Sequence, residues 1–191
     1  MSRLILVKHS LPAIVPHSRP ATWRLNDEGR RRAVVLAERI VTLSPDRIVA
    51  SREPKASETA EIVARRLSLP WEVVAGLHEH ERDAEPFTSQ TAFDARIAMF
   101  LRHPDALVYG RETADEALQR FAAAIRRVLE ACIDQTPVVV CHGTVIALFV
   151  SRVAGVDPFP LWQRLGLPSY VVLSLPNFDV ESIVNEVDAS S

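Results

Sequence analysis

Short apolar runs alternate with longer amphipathic stretches along most of this chain, and no other feature constrains its fold as strongly. The runs are "LILV" (4–7), "DRIVAS" (46–51), "WEVVAGL" (71–77) and "TPVVVCHG" (136–143), with "SYVVLSLP" (169–176) and "VESIVNEV" (180–187) as one or two late strands. A run of four to eight apolar residues bounded by turn signals reads as a strand buried on both faces. Between the runs lie segments of helical period. "NDEGRRRAVVLAERIVTL" (26–43) has Val34, Ala37, Ile40 and Val41 at helical spacing and Asn26 or Asp27 as N-cap. "EPKASETAEIVARRL" (53–67) carries Pro54 in its first turn and sets Ala60, Val63, Ala64 and Leu67 on one face. "ETADEALQRFAAAIRRVLEACI" (112–133) is a long amphipathic helix, and "TVIALFVSRVAG" (144–155) a helix closed by Gly155. The expected fold is α/β, three-layer α/β/α, with a mostly parallel sheet.

The stretch from about 80 to 110 breaks the alternation. It is polar, with a short helical piece around "TAFDARIAMFL" (91–101), and reads as a small inserted cap. With 191 residues and no repeat or low-complexity tract, the chain fits a single domain, 1–191, carrying that insertion. Hydrophobic content of 48% and a net charge of −2 give no sign of nucleic-acid or membrane partners, and no run reaches spanning length. Two cysteines, Cys132 and Cys141, with Cys141 inside an apolar run, suit a reducing compartment; the expectation is a cytoplasmic protein. Oligomeric state is not legible.

In parallel sheets ligands bind at the carboxyl ends of the strands, so the residues ending each run matter most. The first run ends in Lys8 and His9, the second in Ser51 and Arg52 with Lys55 opening the next helix. The third leads to His78, Glu79, His80 and Glu81, and the fourth ends in His142, with Gly143 and Thr144 at a helix N-terminus. Two histidines, three cations, carboxylates and free backbone N–H groups on one rim describe a phosphate pocket with an ionisable acid beside it. His78 and His80 with Glu79 and Glu81 also leave a metal cluster open, although no third ligand motif is apparent. Cys141 reads as core, and His17 and His103 as surface residues.

These motifs, in this order, resemble the histidine phosphatase superfamily, the fold shared by cofactor-dependent phosphoglycerate mutases and many small phosphatases. "LILVKHS" matches the Arg-His-Gly strand, with His9 at the nucleophile, and "LNDEG" (25–29) the opening of the first helix. "ASREPKASETA" (50–60) matches the segment bearing a second phosphate-binding arginine, with Lys55 in that place. "LHE" (77–79) matches the proton-donor segment, "GRETADEALQRF" (110–121) a Gly-Glu-Ser helix start, and "VVVCHGTVI" (138–146) the second-histidine strand.

The resemblance implies a phosphomonoesterase acting on a small phosphorylated metabolite through a phosphohistidine on His9. Glu79 is the implied acid, with Glu81 and Asp83 as competitors. Lys8, Lys55, His142 and the N–H groups of Gly143 and Thr144 would balance phosphoryl charge, with no metal or other cofactor. Phosphoglycerate mutase activity is an alternative, although the mutases' longer cap and an asparagine after the nucleophile have no clear match. A phosphate-binding pseudoenzyme or interaction module is another.

Two departures stand out: both family arginines are lysine, and the glycine after the nucleophile is Ser10. The chain has 20 Arg and two Lys, so both lysines fall where the resemblance implies arginine. That coincidence suggests a matched replacement which keeps charge but loses the planar fork.

Overall fold

The structure, a computed structural model, describes residues 2–82 and 89–188. Its strands are β1 (Arg3–Lys8), β2 (Arg47–Ala50), β3 (Trp71–Val73), β4 (Pro137–Cys141), β5 (Ser169–Ser174) and β6 (Val180–Val184). The α-helices are α1 (Asp27–Ile40), α2 (Pro54–Leu67), α3 (Gln90–Arg102), α4 (Ala114–Ala131), α5 (Gly143–Ala154) and α6 (Pro158–Arg164). The strands form one sheet in the order β3-β2-β4-β1-β5-β6. The pairs β1–β4, β2–β4 and β2–β3 are parallel, while β5 runs antiparallel to both β1 and β6.

Alternation along the strands divides the core into two layers. Leu4 and Leu6 of β1, with Val139 and Cys141 of β4, face a cluster filled by α3, α4, α5 and Leu161 of α6. Ile5 and Val7, with Val138 and Val140, face α1 and α2. Strands β1 and β4 are therefore covered on both sides, which is why they are almost continuously apolar. Burial pushes the Cys141 thiol well above its usual range, as fits a packed core residue.

Several local details differ from the sequence reading. Asn26 does cap α1, accepting from the Gly29 N–H at 2.7 Å. The buried stripe, however, is Ala33, Leu36, Ala37 and Ile40, while Val34 and Val41 are exposed. Strand β3 is only three residues long and lies at the exposed sheet edge. Helix α6 was not anticipated; Asp157 caps it by accepting from the Phe159 N–H, and Pro158 occupies its first turn. Two prolines in "PFPLWQR" hide a helix from a periodicity search, although proline in the first turn is compatible with one.

Within the stretch expected to form a cap, α3 buries Ile97, Phe100 and Leu101 in the larger core cluster. Residues 83–88 of that stretch, including Asp83, lie outside the described residues. No helix among the described residues is long and apolar enough to cross a membrane.

Candidate active site

Strands β2, β4 and β1 are parallel neighbours, so their carboxyl ends meet on one edge of the sheet. Lys8 pairs in register with Cys141, which brings the next residues, His9 and His142, together. The His9 N–H donates to the Cys141 carbonyl at 3.0 Å, and the two imidazoles sit edge to face with centres 5.2 Å apart. Both are buried and border a cavity of about 430 Å³.

His9 is held in one orientation. Its Nδ1 is 2.8 Å from the Ser10 carbonyl oxygen, so Nδ1–H is the donor and Nε2 keeps the lone pair. Burial, followed by the neighbouring His142 and Lys55, which oppose a second positive charge beside them, lowers the His9 pKa well below its ordinary value. The ring is neutral and its remaining nitrogen nucleophilic. Ser10 is itself fully buried, and its N–H donates to Thr59 Oγ1 at 3.0 Å, tying the turn after β1 to α2.

His142 is similarly kept neutral, by burial and then by Lys55. Its Nε2 lies 2.9 Å from Ser51 Oγ, and its buried Nδ1 has no hydrogen-bond partner among the described residues. Glu79 reaches the N-terminus of α5, where Oε2 accepts from the Thr144 N–H at 3.2 Å and Oε1 from the His80 N–H at 2.9 Å. Burial raises its carboxyl pKa, but Arg82, His142 and the His80 N–H outweigh that effect, leaving a net lowering. Of the Gly143 and Thr144 amides singled out from sequence, Thr144 is thus engaged by Glu79.

Lys8 arches over Gly143, where an added Cβ would come within 3.1 Å of its Cε. Its Nζ donates to the Leu165 carbonyl, and burial lowers its pKa to about 8 against the opposing pull of Glu79. Lys55 is placed differently. Its Nζ is paired with Glu53 Oε2 and also donates to the Pro20 carbonyl at 2.7 Å. Among the described residues the two lysines share no hydrogen-bond partner; each has its own.

Glu53, absent from the sequence-derived set, proves central. Besides Lys55, it accepts the Glu79 N–H on Oε1 at 2.9 Å and lies 3.5 Å from His142 Nε2. Arg120 and Glu112 were also missed. Arg120 donates to the carbonyls of Gly76, His78 and Glu79 and pairs with Glu112, which in turn accepts the Glu81 N–H. This clamp from α4 fixes the loop bearing Glu79. In the sequence Arg120 is an ordinary helix-face arginine, and only the loop's approach gives it a role. Glu53 left a faint trace, as a carboxylate two residues from a lysine at a helix start.

The remaining acids and histidines differ in exposure and partners. Glu81 is exposed, pairs with His78 Nε2 at 3.1 Å and borders the same cavity, whereas Glu79 accepts from the α5 terminus. The His80 ring lies 4.0 Å from the Phe100 ring centre and 5.5 Å from that of Tyr109. It is buried and packs at a tilt against these rings, and both it and His78 border the cavity. Among the described residues no group of three or more His, Cys, Asp or Glu side chains is placed to hold a metal ion. His17 and His103 are exposed. The outer cavity wall is aromatic, with Trp23, Phe93 and Trp162, and cationic, with Arg19, Arg52 and Arg82.

An open α/β sheet bearing two neutral histidines, a carboxylate and a rim of cations at its strand ends defines a protein built to hold a phosphoryl group. The comparisons give that class a family. The histidine phosphatase superfamily (branch 1) sequence model matches residues 15–180, and the chain belongs to that superfamily. The match begins after β1, so the position of His9 rests on the structure. An uncharacterized phosphatase, PhoE, of Bacillus subtilis (strain 168) is 30% identical over 137 residues. The match covers 70% of this chain and 66% of that protein. Among solved structures, a mycobacterial glucosyl-3-phosphoglycerate phosphatase with inorganic phosphate superimposes with TM-score 0.75 at 23% identity over 100% of both chains. A mutant phosphoserine phosphatase from Entamoeba histolytica with phosphoserine gives 0.77 at 18% identity, also over 100% of both chains. These two show a shared fold.

Proposed function

We propose that the protein is a phosphomonoesterase that transfers the phosphoryl group of a small phosphorylated metabolite to His9 and then to water. The observation that carries this reading is the fixed, neutral His9 ring, whose Nδ1–H is held by the Ser10 carbonyl while Nε2 stays available at the cavity. His9 Nε2 attacks phosphorus, forming the N–P bond as the ester P–O bond breaks. Lys8, Lys55, His142 and the Gly143 amide surround the transferring group and offset its charge. Glu79 protonates the departing alkoxide, and as carboxylate it then takes a proton from the water that cleaves the N–P bond.

Glu79 is ionised in the free protein, so the acid form must arise on binding. A phosphate dianion placed beside it raises its proton affinity, and a monoanionic ester can bring the proton. The segment from about 80 to 110 is read as the cap of the site, a reading supported by its described residues Glu81, Arg82 and Phe93, which border the cavity. Trp23, Phe93 and Trp162 give the alcohol portion an apolar wall. The cytoplasm, where phosphorylated metabolites reside, is the proposed compartment.

The test is phosphoenzyme trapping with p-nitrophenyl phosphate and an alkyl phosphate. Wild type should form an acid-labile, base-stable phosphoprotein, and His9→Ala should lose both it and turnover. Glu79→Gln should slow the alkyl ester far more than the aryl ester, whose leaving group needs no proton. A phosphoprotein persisting in His9→Ala would refute the assignment. Absence of turnover by wild type across phosphorylated metabolites would leave the pseudoenzyme reading, and isomerase activity with phosphoglycerate would leave the mutase.

A further inference from the structure

We propose that Arg82 supplies the guanidinium that grips the phosphoryl oxygens in this protein, a planar fork that neither Lys8 nor Lys55 carries. The inference rests on the phosphatase reading and names a binding residue outside the motifs that led to it. Three observations converge.

First, Lys55 is not a free cation: its charge is matched by the buried Glu53 carboxylate, and a second N–H goes to the Pro20 carbonyl. A buried cation already paired attracts an incoming anion less than a free one does and has fewer N–H groups left to bond it. Second, Lys8 Nζ is held by the Leu165 carbonyl, and an ammonium is a point charge without a planar fork. Third, Arg82 borders the same cavity, and its buried Nη1 has no hydrogen-bond partner among the described residues. Its guanidinium carbon lies 4.9 Å from the centre of the Phe93 ring. Packing of this kind holds the plane of the head group while leaving its N–H groups to bond elsewhere.

A buried guanidinium N–H without an acceptor is costly, so the site is poised for one. A phosphate ester is the ligand that this cavity would bring, and two of its oxygens suit the guanidinium fork. Arg82 also acts electrostatically on Lys8, Glu79 and His142, which puts it among the groups that surround the reacting atoms. A guanidinium from the loop after β3 can thus replace one expected from β1 or α2.

The experiment is calorimetric titration of inorganic phosphate into wild type, Arg82→Met, Arg82→Lys and the surface control Arg126→Met, with kcat/KM for p-nitrophenyl phosphate against pH. Arg82→Met should weaken phosphate binding by about tenfold or more, the scale of a lost charge-assisted pair. Arg82→Lys should fall between it and wild type, and Arg126→Met should match wild type. Wild-type binding that survives within twofold in Arg82→Met would overturn the proposal while leaving the phosphatase reading intact. So would a shifted pH profile with unchanged phosphate affinity, since Arg82 would then only hold Glu79 ionised. Failure of wild type to bind phosphate or turn over ester would remove both readings.

Discussion

Lys8 shows how one residue sets function against stability. Its pKa is lowered from 10.5 to about 8, chiefly by burial, so the folded protein releases this proton more readily than the unfolded chain. Between those values the unfolded state binds more protons, and stability rises with pH. Below about 8 both states are charged and the fold carries the full cost of burying the ammonium, about 3 kcal/mol. Lys8→Met removes that cost. Its stability relative to wild type, measured by urea unfolding, should therefore be most favourable at pH 7 and decline by about 3 kcal/mol towards pH 10.5. A difference that does not change with pH would mean that Lys8 is not desolvated. His9, His142 and Glu79 were legible in the sequence because each ends or follows an apolar run in a recognisable motif. Glu53, Arg82 and Arg120 were not, because their roles come from loops that approach only in three dimensions.

Among the elements, α1 carries an unusual requirement. Gly29 sits in its first turn, and a Cβ there would come within 2.1 Å of the Leu11 carbonyl oxygen. The turn after β1 and the start of α1 are thus pressed backbone to backbone, with the Asn26 N–H donating to the same oxygen at 3.2 Å. In an open helix Gly→Ala gains about 1 kcal/mol from propensity. Here the clash is with backbone that cannot rotate away, so Gly29→Ala should destabilise, by roughly 1–3 kcal/mol. It should also reduce turnover by displacing Leu11, two residues from His9. A thermal melt and a kcat measurement check both, and a higher melting temperature would count against the contact. "LNDEG" announced this helix start, but of the stripe drawn through Val34, Ala37, Ile40 and Val41 only Ala37 and Ile40 are buried. Periodicity fixes the angular spacing of a face more firmly than its orientation towards the core. Helix α6, with its two prolines, had no such period to find.

For the molecule as a whole, His9 and His142 make the fold sensitive to acid. Each is buried and held well below its ordinary pKa, mainly by desolvation. As the pH falls below about 6.5, the unfolded chain takes up these protons and the folded state does not. Stability should drop from pH 7 to pH 5, and His9→Asn should lose less over that range; equal losses in urea unfolding would contradict this. The three-layer architecture was legible in the alternation of runs, but the reversed direction of β5 was not, since a buried run looks the same either way. The ion pair between Glu53 and Lys55 has a consequence for inheritance. Replacing either partner alone strands a buried charge, at a cost of about 3–5 kcal/mol. Lineages can leave this pairing only by exchanging both residues nearly together, so positions 53 and 55 should descend as one heritable character.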